Sequence, residues 1–259
     1  MKSSKLKINS YKIKKKTNKK LNNSKFKYNN SVDIDTLEYN IINLNIGGGL
    51  IISAPHSIYV RRMKTIHLPE KNIKKIALKI QNIIGLKTVS SITWDIKADK
   101  NNIIFDDPNY IPIKKLENNI WYKYLNILIN ELIVNKKKKL FLIDIHGMSN
   151  QYKFDIIFGL NSIRKNISEL KFKKVLKCLI DIFEEFKNKY GLRIGYNIIF
   201  TGYGKKNILT VCQMATKLDI PAIQIEMSDK FRSNIVKKSS IAKDYINCIN
   251  KFYKCYYKL

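Results

Sequence analysis

Apolar and polar positions follow two periods along the chain. "LIISA" at 50–54 and "LFLIDIH" at 140–146 are short, near-continuous apolar runs, the pattern of strands buried on both faces. "TVSSITW" (88–94) and "IPAIQIEMS" (220–228) predict two further strands, and "YNIIFTGYG" (196–204) a fifth that ends in a glycine turn. Between them the period changes to that of a helix. "LPEKNIKKIALKIQNIIG" (68–85) gathers Ile73, Ile76, Ala77, Ile80, Ile83 and Ile84 on one side, with Pro69 near its start and Gly85 just past its end. "NNIWYKYLNILINELIVN" (118–135) is helical, and "FKKVLKCLIDIFEEFKNKYG" (172–191) lines Val175, Leu179, Ile182, Phe183 and Phe186 along one face. "ILTVCQMATKL" (208–218) and a last segment over about 237–256 complete the helices. This alternation predicts an α/β fold: a mostly parallel or mixed central sheet flanked by helices. In such folds a site lies beyond the carboxyl ends of the strands.

Polar residues stand where three of the apolar runs end: Pro55-His56, Asp144-x-His146-Gly147, and Glu226. A carboxylate or an imidazole at the end of a buried strand is costly without a partner. Asp144 and His146 are two apart, so a continuing strand points them to one face, and Gly147 is expected to let the backbone turn. The chain has three histidines, His56, His67 and His146. Separate strands that deliver His, His and Glu to one rim suit a metal hydrolase. Zinc takes imidazole nitrogens and carboxylate oxygens, leaves a position for water, and relies on a further carboxylate to move the proton. Glu70 is the candidate third ligand, although a carboxylate in the first turn of a helix is also favoured by the helix dipole. His67 and Glu70 form a literal His-x-x-Glu, but His56 ends an apolar strand and His67 does not, so the preferred set is His56, Glu70 and His146, with His67 in place of His56 as the alternative. Asp144 is placed to hold the second ring nitrogen of a ligating histidine, or to cap a loop.

Composition adds a boundary. Of the 29 net positive charges, eleven are lysines in residues 1–30, which contain no Asp or Glu, leaving +18 on residues 31–259. We read 1–30 as a disordered Lys/Asn-rich tail and 31–259 as the folded domain. The tail has no apolar core of a secretory signal; a polyanion-binding arm or an organelle-targeting segment both fit it. Much of the charge accords with the Lys, Asn, Ile and Tyr usage of an AT-rich genome. The alternative function class is a nucleic-acid-binding protein on an inactive α/β scaffold, using the lysine tail and interspersed Tyr and Phe. Cys178, Cys212, Cys248 and Cys255 show no CxxC spacing and read as buried apolar residues rather than a zinc knuckle or disulfide framework, which fits a reducing, cytoplasmic setting. No stretch reaches the length of a membrane-spanning helix. Gly47-Gly48-Gly49 precedes a strand, and "TGYGKKN" lacks the full spacing, so neither is read as a phosphate loop.

"ISAPHS" (52–57), Arg61-Arg62, "DDPNY" (106–110), "DIHGM" (144–148) and "IQIEMSDKFR" (223–232) together resemble the N-formylglutamate amidohydrolase family, a relative of the zinc carboxypeptidases. The resemblance runs in motif order over about residues 45–235. It implies a zinc-carboxypeptidase-like hydrolase fold and one Zn2+ per chain held by His56, Glu70 and His146. It also implies Glu226 as general base and acid, and Arg61, Arg62 or Arg232 on a substrate carboxylate or the developing oxyanion. The implied substrate is a small anionic amide or peptide, such as an N-acyl acidic amino acid or a glutamyl peptide. The family's Pro-His-Ser-Gly departs here to Ile58 at the fourth position.

Overall fold

A computed structural model describes residues 41–96, 105–135 and 139–259; the reading of residues 1–30 as a tail lies outside them. The chain opens with β1 (Ile42–Asn45), β2 (Leu50–Ala54) and a small hairpin, β3 (Val60–Arg62) and β4 (Thr65–His67). Then come α1 (Ile73–Ile84), β5 (Val89–Trp94), β6 (Ile111–Pro112), α2 (Ile120–Val134), β7 (Phe141–Met148), β8 (Ile156–Gly159) and α3 (Asn161–Arg164). The last part holds α4 (Glu169–Tyr190), β9 (Ile194–Tyr196), β10 (Ile208–Leu209), α5 (Val211–Lys217), β11 (Ala222–Ser228), α6 (Asp229–Lys237) and α7 (Ser239–Tyr256).

Seven strands form one sheet in the order β1-β5-β2-β7-β11-β8-β9. The central strands β5, β2, β7 and β11 run parallel, while β1 pairs antiparallel with β5 and β8 antiparallel with β11. The sheet is therefore mixed, as the alternating pattern predicts. On one face Leu50, Ile52, Ala54, Phe141, Ile143, Ile145, Ile223, Ile225 and Met227 pack into a layer built with α1, α4, α6 and α7. Side chains alternate across a strand. Ser53, Asp144, His146, Gln224 and Glu226 therefore face the other way, on the side covered by α2 and α5. Register makes these five neighbours: Ser53 lies opposite Asp144, Gln224 opposite Asp144, and Glu226 opposite His146.

Several expectations need correction. The strand predicted over 196–204 is confined to β9, which ends at Tyr196; Asn197 takes a positive φ of 52°, and Ile198 and Ile199 are exposed. Their apolar character reflects surface residues of a loop, which the strand pattern could not distinguish. Helix α1 begins at Ile73, so Glu70 sits in the preceding loop with its N–H on the His56 carbonyl, and Ile83 points outward. The segment 208–218 splits, because Ile208–Leu209 pair with Ile111–Pro112 before a Thr210–Gln213 capping box starts α5. Strands β1 and β8 and helix α6 were not anticipated; the two strands are only four residues each, too short for a period to show. Gly147 does not turn the chain but stays within β7. Gly48 serves close approach: a Cβ there would lie 2.1 Å from the Thr88 backbone.

Cys212 and Cys248 are buried free thiols, as expected. Cys178 and Cys255 instead form a disulfide, 77 residues apart in sequence. Packing of α4 on α7 brings them together, which no local spacing reveals, and the pairing removes the cysteine argument for a reducing setting. Among the described residues, no helix is long and apolar enough to cross a membrane.

Because β7 is buried on both faces at the centre of the sheet, Ile143→Ala should lower the unfolding free energy by about 2–5 kcal/mol. Urea titration would check this, and a loss under about 1 kcal/mol would contradict the central placement of β7.

Candidate functional site

Three separate stretches converge on the polar patch at the carboxyl ends of β2 and β7. Just past β2, the Pro55 carbonyl accepts a hydrogen bond from Trp94 Nε1 at 2.6 Å, fixing the backbone that presents His56. The loop before α1 swings Glu70 over the end of β7, where Glu70 Oε2 accepts the Gly147 N–H at 2.7 Å. Residues 105–107 lie along β3, with Arg61 N–H on the Phe105 carbonyl and Asp107 N–H on the Arg61 carbonyl, both 2.8 Å. That alignment delivers Asp107 beneath His56.

The two histidines repeat one arrangement. His56 places Nε2 2.7 Å from Asp107 Oδ1 and Nδ1 2.8 Å from Glu70 Oε1. His146 places Nε2 2.7 Å from Asp144 Oδ2 and Nδ1 3.4 Å from Glu70 Oε2. The Asp107 and Asp144 carboxylates face the Nε2 edge of the two rings, which turns both Nδ1 atoms inward toward Glu70. The two Nδ1 atoms stand 3.0 Å apart. With both Nδ1 atoms unprotonated, two lone pairs and a carboxylate at this range would repel unless positive charge lay among them. That charge is either a proton or a cation.

The electrostatics follow. Burial opposes charging His56, but the Asp107 and Glu70 carboxylates overcome it and hold its pKa at about 9. His146 is likewise raised, burial being outweighed by Asp144 and then Glu70. For Glu70 and Asp107 burial pushes the pKa upward, yet the charge on His56 prevails and both stay well below the usual carboxylate range. Glu226 behaves differently: burial lifts its pKa to about 7 despite the opposing charge of His146. Its Oε1 accepts the Gln224 amide at 2.8 Å.

The structure thus gathers His56, Glu70 and His146, whose ligand atoms all lie within 4.8 Å of one another. The donor set, two imidazole nitrogens and a carboxylate with both Nε2 atoms anchored, fits a divalent ion such as zinc. His67 stacks on the His56 ring with centroids 4.0 Å apart, and its Nε2 is 3.6 Å from Glu70 Oε1. It lies at the rim rather than opposite His146. Burial, reinforced by His56, lowers the His67 pKa to about 4. Asp144 holds His146 and is itself bonded by Ser53 Oγ at 2.7 Å and Asn109 Nδ2 at 3.0 Å. Arg61 is exposed and paired with Asp106; Arg62 Nε meets Asp107 Oδ2 at 2.6 Å; Arg232 is buried against Gly147 with its donors on main-chain carbonyls and Asp229.

Sequence reasoning passed over Asp107 and Asn109 as individual site residues. Asn109 is oriented by Val211, whose N–H donates to Oδ1 at 2.8 Å, which leaves the amide nitrogen facing Asp144. The signal was the segment Asp106-Asp107-Pro108-Asn109, two adjacent acids in a chain with only 20.

No protein-family model and no curated protein sequence matches the chain. Solved structures do. An N-formylglutamate amidohydrolase from Ralstonia eutropha superposes with a TM-score of 0.50 at 11% identity, over 85% of this chain and 98% of that one. The fold is shared with that amidohydrolase. A gene product from Agrobacterium tumefaciens gives the same TM-score at 10% identity, over 85% and 96%. A metallo-carboxypeptidase from Burkholderia cenocepacia gives 0.47 at 8% identity, over 86% of this chain and 59% of its own. The α/β fold shared with the amidohydrolase is the one that the motif order led us to expect.

A metal ion needs both Nδ1 lone pairs, whereas in the metal-free cluster His56 keeps its proton up to about pH 9. Binding must displace that proton below this pH. With His146 raised as well, zinc affinity should rise with pH through neutrality toward about 9. Calorimetric titrations in buffers of different ionisation enthalpy would measure the protons released. Binding with no proton release at neutral pH would contradict a protonated His56 in the metal-free cluster.

Proposed function

We propose that the chain is a metal-dependent amidohydrolase that cleaves an amide bond in a small carboxylate-bearing substrate, such as an N-acyl acidic amino acid or a glutamyl peptide. The observation that carries this reading is the 3.0 Å approach of the two Nδ1 atoms over Glu70, with each Nε2 anchored to its own aspartate. Further support is the name of the amidohydrolase that shares the fold, which specifies an anionic amide. His56 Nδ1, Glu70 and His146 Nδ1 would hold one zinc ion. When bound, zinc polarises a carbonyl and lowers the pKa of water.

The protein groups then divide the remaining work. Glu226 has one oxygen held by Gln224, leaving Oε2 to accept a proton from the attacking water. As the C–N bond breaks, the same oxygen returns the proton to the leaving nitrogen. A carboxylate whose pKa is lifted to about 7 suits both transfers near neutrality. Of the three arginines, Arg62 is best placed for the substrate carboxylate. Its Nε is anchored on Asp107 and its guanidinium carbon lies 5.6 Å from the Tyr110 ring centroid, while its Nη atoms have no ion-pair partner among the described residues. A guanidinium fixed at one edge offers the other for two parallel hydrogen bonds.

The nucleic-acid alternative rests on residues 1–30, outside the described region, and on general basic charge. It gives the cluster of histidines and carboxylates no role.

Elemental analysis of the purified protein should find about one zinc per chain, lost in His146→Ala. Protein that takes up no metal even after incubation with zinc would overturn the reading. Glu226→Gln should retain zinc but lose about 10²–10⁴-fold in kcat on the N-acyl amino acid that the wild type cleaves. Unchanged kcat would remove Glu226 from the proton transfers.

A further inference from the structure

Arg232 lies on α6 with 5% of its surface exposed, an unusual position for a charged side chain with no paired carboxylate inside the core. Among the described residues its one ion-pair partner is Asp229, 3.3 Å from Nη2 and partly exposed. The other donors go to main-chain carbonyls. Nε donates to Lys71 O at 2.9 Å, and Nη1 donates to Met148 O at 3.4 Å and to Met227 O.

These three acceptors are not scattered. Lys71 follows Glu70, Met227 follows Glu226, and Met148 stands two residues after His146. One rigid guanidinium therefore ties together the three backbone segments that carry a candidate metal carboxylate, the candidate metal imidazole of β7 and the candidate proton carrier. Gly147 makes room for it: a Cβ there would lie 2.2 Å from Nη1 and 2.5 Å from Cζ. The N–H of the same Gly147 holds Glu70 Oε2 at 2.7 Å. Residue 147 is thus pinned on one side by the guanidinium and on the other by the carboxylate.

We propose that Arg232 is a positioning residue. It sets the mutual spacing of Glu70, His146 and Glu226 through their backbones, and does not contact substrate. A lysine cannot replace it, because an ammonium on a flexible stem lacks the planar fork that spans separated carbonyls. The metal-binding part of this inference rests on the metal centre proposed above; the backbone tether does not.

The test uses full-length Arg232→Lys and Gly147→Ala, the second displacing the guanidinium without removing it. Two readouts are taken on protein shown to be folded by circular dichroism. The first is zinc affinity by competition with a chromophoric chelator, expected to fall at least about tenfold in both variants. The second is amide hydrogen exchange of the metal-free protein, expected to quicken at 70–72, 147–149 and 227–229 and to stay unchanged in α4 and α7. Should Arg232→Lys fail to fold, Gly147→Ala carries both readouts. Wild-type zinc affinity together with wild-type exchange in a folded variant would overturn the proposal. So would exchange that quickens uniformly, the mark of general destabilisation. Wild-type protein that binds no zinc would defeat the metal reading alone, and the exchange pattern would still decide whether Arg232 tethers the three segments.

Discussion

A row of polar side chains on one face of three adjacent buried strands depends on hydrogen bonds that offset the loss of water. Ser53, Asp144, His146, Gln224 and Glu226 form that row, on β2, β7 and β11. Inside a sheet an unpaired member would cost several times what a satisfied hydrogen bond contributes. Ser53 and Asn109 take the two oxygens of Asp144, and Gln224 takes one of Glu226. The parallel register of β7 with its neighbours is thereby tied to the chemistry. A slip of one residue would turn Asp144 and His146 into the layer of Ile143 and Ile145.

The strands supply half of the site, and loops supply the rest. His56, Glu70 and the segment 105–110 arrive from three separate connections, each held by backbone hydrogen bonds to its neighbour. Arginines then serve two different purposes. The buried Arg232 draws chain segments together, whereas Arg62, more than a third exposed, keeps one edge of its guanidinium at the rim. Neither purpose follows from charge alone.

Charge at the site in fact runs against that of the chain. The protein carries +29 overall, yet Glu70, Asp107, Asp144 and Glu226 surround the histidines. A local cluster of carboxylates attracts a cation, and a basic surround attracts an anion. The metal ion and anionic amide proposed above would need both, whereas net charge alone points to a polyanion partner.

The sequence by itself determined the α/β class, the central strands, the long helices and the strand-end landmarks His56, Asp144, His146 and Glu226, because period and burial are local properties that each segment carries. The short edges β1 and β8 escaped it, having too few residues for a period to register. The tertiary structure set His56, the ring already preferred from its strand-end position, edge-on to His146 and stacked His67 against it. Only it joined His56 to Asp107 across 51 residues, Cys178 to Cys255 across 77, and Arg232 to Lys71 across 161. Those pairings depend on sheet register and on how loops lie over strand ends. Both are decided by the whole chain folding at once, and no window of residues contains them.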